Sequence, residues 1–457
     1  MKNTTELPLR SFRTLETSCR LFKPQPSKSM VSKSKILSQR FAAHNVALIL
    51  MFVTALSVTL AGQVVPAEHW VSTWQGSPTP GGTFFSPGCP SDVGLNNQTI
   101  RNLIHISTGG SQVRVRLSNA GGAEPLVIGE ATVALAAGGA AILADSKQVL
   151  RFAGKLSTTI AAGGEVLTDP VSIDLAPLTT LAISIFLPEP TGLATQHFLA
   201  VQDNFLADGN MTRANSGAAF THKISCWMFL SGVDVVATAK VKGALVTLGD
   251  SITDGYLSTT NANRRYPDVL AQRLFARQSS TLSISNAAIT GNELLTNRPQ
   301  FLEFGNAVPN RLARDVLTQP GARAVILLMG INDIGDRSTK ASALIAVDQQ
   351  IIQAVHNAGM KIYGGTLVPF MGSHDVYGGD YGTPAGEHER VKLNRWIRTS
   401  NAFDGVVDFD KALRDPSDPS RIFPPYDGDH LHPNDAGYQA MGNAVDLDAI
   451  LNDLDSH

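Results

Sequence analysis

From residue 70 to about 241 apolar and polar residues alternate over short stretches, as they do in half-buried strands. The segment 112–117 (QVRVRL) is the clearest case, and 126–128, 131–135 and 181–187 are similar apolar runs. Glycine pairs at 109–110, 121–122, 138–139 and 163–164 punctuate them as turns. Regular short strands with Gly-rich turns predict an all-β region of sandwich or jelly-roll type. From residue 242 the pattern changes. Continuous apolar strands are expected at 244–249, 282–285, 324–329, 361–367 and 405–409, with helical periodicity at 266–277, 341–358 and 387–399. Strands alternating with helices predict an α/β fold whose parallel sheet is covered on both faces. Loops beyond the C-terminal ends of such strands are where chemistry is placed.

The first residues follow a third pattern. A stretch rich in Lys and Arg, from Lys2 to Arg40, precedes an uncharged apolar run at 46–61. That run is short for a bilayer span, and with its basic flank it reads as an export signal. Ala61 and Ala67 are candidate cleavage points, and Met30 would make a better start for a signal of ordinary length. The alternative is an uncleaved anchor, which would be the chain's one contact with a membrane. Three segments result: 1–67 as signal, 68–241 as β-rich accessory domain and 242–457 as α/β domain.

Composition narrows the functional classes. The 457 residues are 43% hydrophobic and 17% charged with a net charge of −2, which suits a globular chain. Without a basic stripe interleaved with aromatics, nucleic acid is not an expected partner. Of three cysteines, Cys19 falls in the signal segment. Cys89 and Cys226 remain, either as a disulfide formed in an oxidising compartment or as two buried thiols.

Four loops carry the candidate chemistry. Gly249-Asp-Ser-Ile-Thr-Asp-Gly255 joins the first parallel strand to its helix, and Ser251 there either offers a hydroxyl at the sheet edge or simply caps the helix. Gly291 and Asn292 follow the second strand, and Gly330-Ile-Asn332-Asp333 follows the third. Near the C-terminus stands Asp427-Gly-Asp429-His430-Leu-His432-Pro-Asn-Asp-Ala-Gly437-Tyr438. Two overlapping Asp-x-x-His pairs, Asp427/His430 and Asp429/His432, occur in this block. The same acids and histidines could also hold a metal, though no third distant ligand motif accompanies them.

Together the four blocks resemble the SGNH, or GDSL, hydrolase family over residues 242–450. That resemblance implies a flavodoxin-like three-layer domain and serine ester hydrolysis through an acyl-enzyme, without metal or organic cofactor. Position by position, it places the nucleophile on Ser251, the base on His432 and the orienting acid on Asp429. It places the oxyanion donors on the Ser251 and Gly291 backbone N–H groups and the Asn332 side-chain amide. His432 is preferred to His430 because Pro-Asn and a downstream Gly-Tyr follow it. The first half, at 97–102, 113–119 and 124–129, resembles the β-rich region found before some secreted bacterial GDSL esterases. The expected substrate is a small-molecule or polysaccharide ester, with carbohydrate acetyl esters first, aryl esters next and lipid-type acyl esters as an alternative. From another class comes a carbohydrate-binding protein with an inactive hydrolase half. His69, His105, His197 and His222 read as structural or surface residues, and Asp254 and Asp333 as loop-fixing ones. Asp408 and Asp410 are alternatives to Asp429. The glycine-rich loop 371–387, with Tyr377 and Tyr381, either lines a substrate pocket or lies on the surface.

Overall fold

A computed structural model describes residues 68–82, 88–277 and 281–455. The basic stretch, the apolar run, both cleavage candidates and Cys19 lie outside these residues. The described residues form one compact unit. Among the described residues no helix is long and apolar enough to cross a membrane.

Two large antiparallel sheets, with two smaller ones beside them, build the β-rich half. One runs in the order Trp70–Gln75, Leu230–Val236, Gly110–Ser118, Glu165–Leu167, with Val171–Leu175 also on Gly110–Ser118. The other is centred on Asn204–Asp208, Gln98–His105, Thr180–Leu187 and Glu130–Gly138. Side chains at period two point between them: Val113, Val115 and Leu117 from the first sheet share one core with Ile100, Ile104, Ile183 and Ile185 from the second. Gln98–His105 and Thr180–Leu187 are buried along almost their whole length, since the second sheet is covered on its outer face too. There Leu103, Ala134, Ile142 and Ala182 form a small cluster. Cys89 and Cys226 form a disulfide with Cα atoms 6.0 Å apart.

The α/β half begins at Val241, the first residue of the strand Val241–Gly249. Its five parallel strands lie in the spatial order Thr281–Asn286, Val241–Gly249, Ala322–Leu328, Lys361–Gly365, Gly405–Val407. In chain order that is 2-1-3-4-5, the flavodoxin-like arrangement, whose ligand crevice opens between strands 1 and 3. The central strands are buried on both faces because helices cover both. The helices Tyr266–Phe275, Ala341–Asn357 and Pro384–Thr399 lie close to the expected ranges. Two expected strands end early. The fourth stops at Gly365, and the fifth stops at Val407 because Asp408 caps a new helix, Phe409–Leu413, by accepting from Lys411 N–H.

An edge strand presents unpaired backbone groups, and here the β-rich half covers the edge of the parallel sheet. Trp70–Gln75 packs along Thr281–Asn286. Ser107 Oγ donates to the Ile284 carbonyl and accepts from Ile284 N–H, each at 2.9 Å. Ser283 Oγ donates to the Ser72 carbonyl at 2.8 Å. These buried polar contacts make the two halves one packed body.

Candidate active site

The first strand delivers its loop to the crevice at Gly249. A Cβ there would lie 2.0 Å from Thr253 Oγ1, so only glycine permits the tight entry into the helix Ser251–Asp254. Asp250, not Ser251, caps this helix, accepting from Ile252 N–H at 3.0 Å. The Ser251 hydroxyl is therefore released from capping, and its Oγ lies 2.8 Å from His432 Nε2.

His432 is held from its far side. Its Nδ1 lies 3.0 Å from Asp429 Oδ2, and Asp429 Oδ1 accepts the His432 and Leu431 backbone N–H groups at 2.7 and 3.1 Å. An acceptor at Nδ1 places the proton there and leaves the Nε2 lone pair for the Ser251 hydroxyl. Tyr377 donates its hydroxyl to Asp429 Oδ2 at 2.5 Å. Burial opposes ionisation of Asp429, yet the bonds from His432 and Tyr377 hold its carboxyl down at about 2. The Tyr256 ring meets the imidazole edge-on at 4.7 Å. The neighbouring pair faces elsewhere. His430, at φ +69°, puts Nδ1 2.7 Å from Asp427 Oδ2, and its side chain is 53% exposed. Asp408 and Asp410 are engaged by Arg398 and Arg390. Among the described residues no group of three or more His, Cys, Asp or Glu is placed to share a metal ion.

The second and third loops bring donors to the same place. Gly291 adopts φ +74°, and a Cβ on it would lie 2.6 Å from the Phe304 ring, so glycine is required twice over. Among the described residues, neither the Ser251 nor the Gly291 N–H donates to a protein acceptor. Asn332 is pinned at both ends: Nδ2 donates to the Asn292 carbonyl at 2.8 Å, and Oδ1 accepts from the Tyr381 hydroxyl at 2.8 Å. This fixes the amide orientation and leaves the second Nδ2 hydrogen free to turn to the crevice. Asp333 holds the two loops in register by accepting from Leu294 and Leu295 N–H.

Ser251, Gly291, Asn332 and His432 line one open cavity of about 470 Å³. Aromatic rings form much of its wall, among them Tyr256, Phe301, Phe304, Tyr377 and Tyr381, and Phe198 and Leu199 reach in from the β-rich half. Arg298 and Asp336 are its charged members, paired at 2.7 Å. The loop 371–387 thus lines the cavity. The hydroxyl partners of its two tyrosines, and the contribution of the β-rich half, have no local sequence signal.

Asp250, beside Ser251, is fully buried and its Oδ2 has no partner. Burial pushes its carboxyl up to about 7, with the nearby Asp333 and Asp254 carboxylates adding to the effect and the Ile252 N–H opposing it. An acid raised on folding keeps a proton that the unfolded chain has released, so its contribution to stability falls as pH rises from about 4 to about 7. Asp250→Asn preserves the cap and removes the titration. Its stability advantage over the native chain should grow across that window to a few kcal/mol and then level off. Urea unfolding of both proteins at pH 4.5, 6 and 8 measures this, and a constant difference at the three pH values would contradict it.

The model of the GDSL-like Lipase/Acylhydrolase family matches residues 247–440. Similar solved structures include the aryl esterase of M. smegmatis, 16% identical over 46% of this chain and 99% of that one, with a TM-score of 0.37. A GDSL-like lipase from Bacteroides thetaiotaomicron is 16% identical over 47% and 89%, with a TM-score of 0.34. A carbohydrate acetylesterase from Sinorhizobium meliloti is 14% identical over 44% and 96%, with a TM-score of 0.35. No curated protein sequence matches the chain.

Proposed function

We propose, from the premise that residues 247–440 are a GDSL-like lipase/acylhydrolase domain, that the chain is a serine carboxylic-ester hydrolase acting through an acyl-enzyme. One observation carries this: Ser251 Oγ, His432 and Asp429 are joined in a single hydrogen-bonded line whose Ser251 and His432 line the cavity. Ser251 attacks the ester carbonyl while His432 Nε2 takes its proton, and Asp429 stabilises the imidazolium that forms. The carbonyl oxygen becomes an oxyanion, met by the Ser251 and Gly291 N–H groups and the Asn332 amide. His432 then returns the proton to the departing alcohol, leaving Ser251 acylated. Water, deprotonated by the same imidazole, attacks the acyl carbon; the bond to Ser251 Oγ breaks, His432 returns the proton to that oxygen, and the acid leaves.

The aromatic and aliphatic wall supports substrates with an apolar acyl or aryl group, because such rings bind apolar area without leaving a polar partner unmet. A carbohydrate acetyl ester is the second reading. It is favoured by Arg298 and Asp336, which give the wall groups able to meet sugar hydroxyls. The basic stretch before the apolar run and the Cys89–Cys226 disulfide support export of the protein. A fluorophosphonate should label Ser251, and acid release from p-nitrophenyl esters of increasing chain length, beside acetylated xylan, decides the substrate. Faster turnover of the longer aryl esters supports the first reading, and xylan deacetylation with those esters inert supports the second. Labelling at another serine, or no hydrolysis of any ester, overturns the assignment.

A further inference from the structure

The β-rich half reaches the reaction centre through a histidine whose two ring nitrogens both face hydrogen-bond acceptors. His197 ends the strand Thr195–His197 and is buried. Its Nδ1 lies 3.1 Å from the Ser77 carbonyl oxygen and its Nε2 2.9 Å from Asp254 Oδ1. Both neighbours are acceptors, so the arrangement favours the imidazolium, the form in which both ring nitrogens donate. Burial works against that charge, but the Asp254 carboxylate and the two hydrogen bonds outweigh it and hold His197 above its ordinary range. Burial likewise opposes the Asp254 charge, which His197 and the Thr290 hydroxyl keep below the usual carboxylate range.

Asp254 is the last residue of the helix that begins at Ser251. Its second oxygen, Oδ2, accepts from Thr290 N–H at 2.9 Å and Thr290 Oγ1 at 2.7 Å. Thr290 immediately precedes Gly291. Arg265 adds a bond from Nε to the Asp254 carbonyl and another to the Ala200 carbonyl. The chain of contacts therefore runs from the β-rich half, through a carboxylate on the Ser251 helix, to the N–H and hydroxyl of Thr290, the residue joined directly to Gly291.

We infer that His197 is a positioning residue for the oxyanion donors. It neutralises Asp254 and thereby fixes the Thr290–Gly291 peptide with its N–H turned into the cavity. The inference rests on the oxyanion role given to Gly291 above. Without the imidazolium, Asp254 is a buried carboxylate lacking its cation partner. It then takes up a proton or draws in water, and either change loosens its hold on Thr290. An oxyanion donor acts only when it is already aimed, so a small displacement is felt in the transition state more than in the bound ester.

The test is His197→Gln, assayed on one p-nitrophenyl ester and with phenylboronic acid, whose boron takes the Ser251 oxygen as a fourth ligand. A misaimed donor predicts a roughly tenfold to hundredfold fall in kcat, less than full removal of a donor. Boronate affinity should fall in parallel while KM stays nearly unchanged. Thr290→Val, which removes only the hydroxyl bond, should lose less, and its effect should not add to that of His197→Gln. Native kcat and boronate affinity in His197→Gln, with only a lower Tm, would overturn the inference. Should that variant not fold, Thr290→Val and Thr290→Ser decide. A parallel loss of kcat and boronate affinity in the valine form, rescued by serine, supports the brace, and no loss in either overturns it. Ser251→Ala in the same assay separates the two levels. If it retains activity, the hydrolase reading itself fails, whereas an inactive Ser251→Ala beside a fully active His197→Gln removes only the brace.

Discussion

Replacing His432 with alanine is expected to lower kcat/KM by roughly 10⁴–10⁶, close to the loss from Ser251→Ala, because members of such a unit fail together. The expectation comes from geometry. The imidazole has one lone pair, and it sits 2.8 Å from Ser251 Oγ. No neighbour can replace it, since His430 is turned outward with its Nδ1 committed to Asp427. His430→Ala should therefore leave kcat/KM within a few-fold of native, with any change coming from loop packing. Asp429→Asn should fall in between and toward the severe end. The amide can still accept the two backbone N–H bonds, but it favours the wrong imidazole tautomer and supplies no charge for the imidazolium. It also presents an N–H to Tyr377, whose hydroxyl now has only a weaker partner. Three single variants on one activated ester are sufficient. A severe loss at His430 with normal turnover at His432 would transfer the roles to Asp427 and His430.

The resemblance proposed those roles block by block, and the residues it names stand at short, regular offsets along the chain. Ser251, Gly291 and Asn332 each stand a few residues beyond an apolar strand, and the Asp-x-x-His spacing lets a carboxylate reach its own histidine's backbone and ring. Strand and helix identity in the second half was legible, since continuous apolar runs and 3.6-residue periodicity are strong signals. The strand ends were not. Gly364 and Gly365 pass against the Phe403 and Phe409 rings, and that packing is invisible along the chain. The order 2-1-3-4-5 likewise depends on pairing between distant segments. In the first half, two- and three-residue strands such as Thr195–His197 exist only through their tertiary partners. That is why His197 reads as a bland β-region histidine until Asp254, 57 residues away, is seen against it. Tyr377 and Tyr381 mark their loop as aromatic, but only the folded chain shows one hydroxyl on Asp429 and the other on Asn332.

The Asn332–Tyr381 bond sharpens the remaining prediction. Asn332→Ala should lower kcat by roughly 10²–10³, the usual loss for one oxyanion donor. KM should change little, because the bond strengthens only as charge develops on the carbonyl oxygen. Asn332 is buried and its amide has no rotational freedom to spare: Asn292 takes one hydrogen and Tyr381 occupies the oxygen. Tyr381→Phe removes the second restraint and leaves the donor in place. Its kcat should fall by a smaller factor, again with KM nearly constant. Asn332→Asp should be worse than alanine, since it sets an acceptor, negative when ionised, where negative charge must form. The order Tyr381→Phe, Asn332→Ala, Asn332→Asp in increasing loss of kcat is thus the signature of a donor that must be both present and aimed. Normal kcat with a large rise in KM across the series would place Asn332 in ground-state recognition of the ester and leave the oxyanion to the two backbone N–H groups.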